Sequence, residues 1–107
     1  GKSLDKLIST RLTGPLGING LKYNLANNET LLPRFSGKND SLQFATDGDF
    51  DIFGPDFPSN KADNKIFLGG EGMIATANGY CDFLRMLMNK GKLNDRQFLN
   101  QETFLPL

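Results

Sequence analysis

Apolar residues recur at helical spacing near both ends of the chain and lose any period in between. Leu4, Leu7, Ile8 and Leu12 share one face of a helix expected over about 3–13. Ser3 stands where a side-chain oxygen caps the first turn, and Gly14-Pro15 is expected to stop the helix, since proline cannot continue the hydrogen-bond ladder. Tyr80, Phe83, Leu84, Leu87 and Met88 make an i, i+3, i+4, i+7, i+8 stripe that predicts a second helix over about 77–90. Thr76 is its expected cap, and Lys90-Gly91 its end. A short third helix is expected over about 100–106, with Phe104 and Leu105 facing inward.

Residues 24–66 carry no sustained period and are rich in Asn, Asp, Gly, Ser and Pro. Glu29–Pro33 is expected to hold a helical turn. Phe35, Phe44, Phe50, Phe53 and Phe57 are scattered through the region and read as anchors that pin a long loop to a surface. The fold expected from these patterns is mainly α with long irregular loops, and residues 1–107 read as one partial domain.

Composition narrows the chemistry. Nine Phe and many Leu give collapse a strong drive, which argues against disorder. Twelve basic residues balance twelve acidic ones without a basic stripe, so no nucleic-acid surface is expected. No apolar run approaches membrane-spanning length. There is no histidine, which removes the commonest general base and zinc ligand, and a Ser-His-Asp or Cys-His site cannot be built from this chain alone. The one cysteine, Cys81, cannot form an internal disulfide and reads as a small packed residue beside the second-helix stripe.

The stretch from Gly69-Gly70-Glu71-Gly72 through Met73-Ile74-Ala75-Thr76-Ala77-Asn78-Gly79-Tyr80 to Phe83-Leu84 resembles a recurrent segment of the serine β-lactamase family, in its class C-like, esterase and penicillin-binding branches. That segment reads as a glycine cluster, an apolar pair, Ser/Thr-Thr-Ala-x-Asp-Tyr and a Phe-Leu helix. The similarity continues through Met86 to Leu93 and into Leu99-Asn100-Gln101-Glu102-Thr103. Upstream, Gly1-Lys2-Ser3-Leu4 and Pro15-Leu16-Gly17-Ile18 resemble the family's Gly-x-Ser-Leu helix and Pro-Leu-Gly-Met corner. The matches cover roughly half the chain in the family's order. Two positions depart: Gln101 replaces a common proline, and Gly79 stands where relatives carry an acid. Loss of the reciprocal capping bond at Gly79 is expected to weaken the helix start by about 1 kcal/mol.

The resemblance implies a piece of the helical subdomain of a β-lactamase/transpeptidase-like (α+β) fold. The parent is expected to cleave amide or ester bonds, in β-lactams, D-amino peptides or small esters, through a serine acyl-enzyme. In this family the nucleophile lies in Ser-x-x-Lys, a Tyr-x-Asn handles protons, and a Lys/His-Thr/Ser-Gly strand seats the substrate carboxylate. The first two are expected to precede Gly1 and the third to follow Leu107. No catalytic residue is therefore expected here, no metal and no cofactor. Gly69, Gly70, Glu71 and Gly72 are the candidate substrate-binding residues, as part of a cleft rim. The expected partners are the remainder of the parent hydrolase and, through it, a small-molecule substrate. Self-association of the isolated piece is a further expectation. The parent is expected to be periplasmic or otherwise extracytoplasmic.

Four patterns imitate sites. Ser3-Leu4-Asp5-Lys6 satisfies Ser-x-x-Lys literally but reads as a helix cap and a solvated lysine; Tyr23-Asn24 lacks the Tyr-x-Asn spacing, and Ser36-Gly37-Lys38 is no Lys-Thr-Gly. Asp47, Asp49 and Asp51 alternate as in a calcium loop, but Ile52 and Pro58 occupy the places of its glycine and bidentate glutamate. An exposed acidic loop is the simpler reading. Besides the hydrolase piece, the alternatives are a stand-alone interaction module derived from the same subdomain and a calcium-binding loop domain.

Overall fold

Two hairpins and a third strand pair share this chain with its helices, so the fold is α+β rather than mainly α. The computed structural model describes residues 1–46, 49 and 60–104. Its elements are α1 (Leu4–Ile8), a π-helical turn (Ser9–Thr13), α2 (Gly14–Leu16), β1 (Leu21–Lys22), β2 (Phe35–Lys38), β3 (Ser41–Phe44), β4 (Ile74–Ala75), α3 (Ala77–Met88), β5 (Lys92–Leu93), β6 (Arg96–Gln97) and a 3-10 turn (Gln101–Phe104). The strands form three two-stranded antiparallel sheets, β1–β4, β2–β3 and β5–β6.

Two of these sheets are tight hairpins with the same turn chemistry. Asn39-Asp40 joins β2 to β3, and Asn94-Asp95 joins β5 to β6; all four residues have positive φ, between 48° and 63°. Two consecutive left-handed residues match the right-handed twist of the flanking strands, and Asn and Asp tolerate that geometry best after glycine. The first of these turns, with the hairpin it closes, corrects the expectation of an irregular 24–66 region. The backbone of Asn-Asp does the work usually signalled by Asn-Gly. The expected helical turn at Glu29–Pro33 is also absent: a turn forms three residues earlier, where Ala26 N–H donates to the Glu29 carboxylate (2.7 Å) and Glu29 N–H to the Ala26 carbonyl (3.0 Å). Phe50, Phe53 and Phe57 lie outside the described residues.

The chain divides into two compact units, Gly1–Tyr23 with Met73–Leu107, and Asn24–Gly72. In the first, Leu16, Ile18, Met86 and Leu93 form the buried core, with Leu12, Leu21, Phe83, Leu87, Phe98 and Leu99 packed around it. The second is tied together by asparagines. Leu25 N–H donates to the Asn60 carbonyl (2.8 Å), Asn24 Nδ2 donates to the carbonyls of Ala62 and Asn64, and Asn60 Nδ2 to that of Gly72 (2.6 Å).

The first helix does not stop at Gly14-Pro15. It continues to Leu16 and ends at Gly17, whose φ of 69° is the left-handed terminator. The π turn makes this passage feasible. Gly14 N–H reaches the Ser9 carbonyl five residues back, and the widened turn relieves the clash a proline ring otherwise makes with the carbonyl four residues before it. A Cβ on Gly14 would collide with that Ser9 oxygen, so glycine is required where the turn widens. At the other end only the single turn Gln101–Phe104 of the expected 100–106 helix is present, and Leu105 lies outside the described residues.

Candidate functional site

The stripe assigned to α3 is only partly turned to the core: Phe83 and Leu87 pack against it, while Tyr80, Leu84 and Met88 do not. Met86, absent from the predicted stripe, is fully buried at the centre of the core, with Phe83 and Leu87 beside it. Tyr80, Leu84 and Met88 are 51%, 38% and 83% exposed, and Cys81 is exposed as well rather than packed. At 100° per residue, Gly79, Phe83 and Met86 define the buried side, while Ala77, Tyr80, Leu84 and Met88 line the opposite one. The helix is therefore apolar on two sides, and periodicity alone could not tell which one the fold covers.

The start of α3 is built around a close backbone crossing. Thr76 caps the helix by accepting from Gly79 N–H (3.0 Å), as expected, and its own N–H donates to the Gly20 carbonyl (2.7 Å). Leu21 pairs with Ala75 and Lys22 with Ile74, which draws the β1 strand over the helix entrance. Gly79 is buried under that strand: a Cβ there would lie 2.6 Å from the Gly20 oxygen and 2.9 Å from its Cα. Gly79 is thus no mere loss of a capping acid. It is the residue that lets strand and helix touch.

Gly69, Gly70, Glu71 and Gly72 fall at the C-terminal end of the second unit, outside helix and strand, the first three in bends. Side chains added at Gly69 or Gly70 would meet nothing, so these two glycines are not fixed by packing, whereas Gly72 has a φ of 90° and needs glycine. Asn60 holds the Gly72 carbonyl. Glu71 is half-buried.

Ser3 occupies the cap position of α1 with extended backbone, and its carbonyl accepts from Leu7 N–H (3.0 Å), but its side chain makes no capping bond. The expectation of a side-chain cap is corrected accordingly. The Lys6 carbonyl is used by the hydroxyls of Ser9 and Thr10, while both Ser3 and Lys6 are exposed. Of the three aspartates in the acidic loop, Asp47 and Asp51 lie outside the described residues. The Asp49 carboxylate accepts from the Thr46 amide (2.7 Å) and hydroxyl (3.0 Å), which closes a local turn. Among the described residues no group of three or more Cys, Asp or Glu is placed to hold a metal ion.

Sequence reasoning missed one polar feature. An open cleft of about 540 Å³ lies between the end of α3 and the β5–β6 hairpin, with Arg85, Met88, Lys90, Lys92 and Asp95 among its lining. Lys92 pairs with Asp95 (3.3 Å) and Arg85 with Asp82 (3.2 Å), both at the surface. That leaves Lys90 as the cleft's cation with no ion-pair partner among the described residues, too little to hold an anion firmly in water. The Lys90-Gly91-Lys92 run after a helix end is the signal that could have pointed here. Away from this cleft Tyr23 is buried, and its phenol is pushed above its ordinary 10.0 first by burial and then by the charge of Asp5.

No helix among the described residues is long and apolar enough to cross a membrane. The chain matches no protein-family model and no curated protein sequence.

Proposed function

We propose that this chain is a supporting, non-catalytic part of a serine β-lactamase-like hydrolase, one that helps shape the substrate cleft without breaking bonds itself. The observation that carries this reading is the joined order of a glycine loop at Gly69–Gly72, a Thr76-capped helix and an uncovered apolar side on that helix formed by Tyr80, Leu84 and Met88. An exposed apolar helix side suits an element that packs against further polypeptide. Both residues of the literal Ser-x-x-Lys, Ser3 and Lys6, are exposed, and the absence of histidine leaves no imidazole to serve as a base. In this reading the glycine loop contributes backbone and the Glu71 carboxylate to the cleft rim, and the parent's own motifs supply nucleophile and base.

A fluorescent penicillin and a chromogenic ester test it together. The full parent polypeptide is expected to be acylated and to turn over the ester, and the 107-residue chain to do neither. Stoichiometric labelling of Ser3 in the isolated chain overturns the proposal, and so does a parent reading frame without the three family motifs. The interaction-module alternative is favoured by a separate observation, the bare apolar side of the β2–β3 hairpin.

A further inference from the structure

Of the chain's asparagines, only Asn19 and Asn78 stand directly before a glycine. Glycine has no side chain to shield its amide nitrogen, so in an Asn-Gly pair that nitrogen can approach the asparagine side-chain carbon. Both glycines belong to the backbone crossing at the start of α3. The two asparagines are equally available to water, since both are exposed. Their backbones differ. Asn78 lies inside α3, Gly79 is buried, and its N–H is held by the Thr76 hydroxyl (3.0 Å). Helical dihedrals leave that nitrogen no freedom to turn toward the Asn78 side chain. Asn19 lies between α2 and β1, in neither helix nor strand. Among the described residues, neither its side chain nor the Gly20 N–H has a hydrogen-bond partner.

We propose that Asn19-Gly20 is a self-modification site, at which the chain deamidates and the product loosens the entrance of α3. The Gly20 amide nitrogen gives up its proton to base and attacks Asn19 Cγ. The new N–Cγ bond closes a succinimide ring, the Cγ–Nδ2 bond breaks, and ammonia leaves with a proton taken from the medium. Water then opens the ring at one of its two carbonyls. Opening at Cγ gives ordinary aspartate. Opening at the main-chain carbonyl gives isoaspartate, in which the peptide runs through the side chain and the α-carboxylate is free. Water is the only co-reactant, and nothing is oxidised or reduced.

Isoaspartate adds one backbone atom where the fold has little room for it. The Gly20 carbonyl accepts from Thr76 N–H (2.7 Å), and the Thr76 hydroxyl fills the space a Cβ on Gly20 would take. On the other side Gly20 presses on Gly79, where a Cβ would lie 2.6 Å from its oxygen. Leu21 and Lys22, which follow, are held in register with Ala75 and Ile74. A longer link before Gly20 must therefore shift Gly20 itself, at the expense of the Thr76–Gly20 hydrogen bond. The reaction also turns a formal net charge of zero negative by one carboxylate.

Peptide mapping of the intact chain, aged in mildly alkaline buffer, tests the site, with isoaspartate counted by enzymatic carboxyl methylation. In the folded chain Asn19 is expected to convert at least about tenfold faster than Asn78, because reaction at Asn78 waits for the helix start to open. In concentrated urea the two are expected to convert at similar rates. Asn19→Gln is expected to abolish the fast phase of ammonia release, and Asn78→Gln to leave it unchanged. The isoaspartate form, separated by its charge, is expected to melt about 4–8 °C below the unaged chain, the equivalent of one lost hydrogen bond in a domain of this size. Asn19→Asp brings the same charge without the extra backbone atom and is expected to melt with the unaged chain. Folded Asn19 converting no faster than Asn78 overturns the site. An isoaspartate form as stable as the unaged chain, or an Asn19→Asp variant as unstable as the isoaspartate form, overturns the loosening of α3.

Discussion

Restoring an acid at position 79 separates two arguments by the sign of their outcome. From helix rules, Gly79→Glu completes a capping box with Thr76 and removes a glycine from the first turn, each change favourable by about 1 kcal/mol. From the packing, any Cβ at 79 meets Gly20 oxygen at 2.6 Å, carbon at 2.7 Å and Cα at 2.9 Å, against about 3.5–4.0 Å for an ordinary contact. All three atoms are backbone, so no side chain can swing aside. Either α3 or the β1 segment must shift, and the Thr76–Gly20 hydrogen bond and the Leu21–Ala75 pairing lie in the path of that shift. Overpacking costs about 1–3 kcal/mol and a lost hydrogen bond about 1 kcal/mol. The smaller Gly79→Ala has only the helix-propensity gain to offset this and is expected to destabilise by about 1–3 kcal/mol net. Gly79→Glu, which also brings a charge to a buried position, should lose more. At about 4–8 °C per kcal/mol for a domain of this size, the alanine variant should melt at least several degrees lower by circular dichroism at the helical band. Asn78→Ala, exposed one position earlier, is the control and should gain a few tenths of a kcal/mol. A Gly79→Ala protein as stable as the parent would refute the crossing argument.

Three further outcomes follow from other parts of the first unit. Met86→Ala removes the most deeply buried side chain of the core and should cost about 2–5 kcal/mol in urea unfolding, whereas Met88→Ala, mostly exposed, should stay within about 0.5 kcal/mol. Lys90 takes a left-handed φ of 52° just before Gly91, so Lys90→Gly should gain about 0.5–1 kcal/mol in the same assay; a loss would mean that the lysine side chain contributes more than its strain costs. The Tyr23 phenol is raised in the folded chain, so its contribution to stability is complete below its ordinary 10.0 and fades as the pH climbs from there through the raised value. Tyr23→Phe should flatten that alkaline decline, and an unchanged slope would remove Tyr23 as its cause.

Local rules placed the ends of α3 well, because a threonine cap and a Lys-Gly terminus act through a handful of neighbouring atoms. The first helix was legible in its apolar spacing, but its passage through Gly14-Pro15 was not, since that depends on a π turn whose widened ring shows in no propensity. Both hairpins were written in the chain as Asn-Asp pairs between short strands, a turn signal easily passed over because it lacks the usual glycine. The candidate rim at Gly69–Gly72 was visible only as composition, and the structure distinguishes its members: Gly72 is fixed by its backbone angle and by Asn60, while Gly69 and Gly70 are held by neither.

What sequence alone determined is therefore local: where α3 starts and ends, and that histidine-dependent catalysis is out of reach of this chain by itself. Tertiary structure decided which side of α3 is core. Tyr80, Leu84 and Met88 are as apolar as Phe83, Met86 and Leu87, and the choice between them was made by Gly79, the one point on the helix bare enough for Gly20 to press against. Hydrophobicity makes burial favourable without giving it a direction. The direction comes from where two backbones can approach, and that is a property of pairs of residues far apart in the chain.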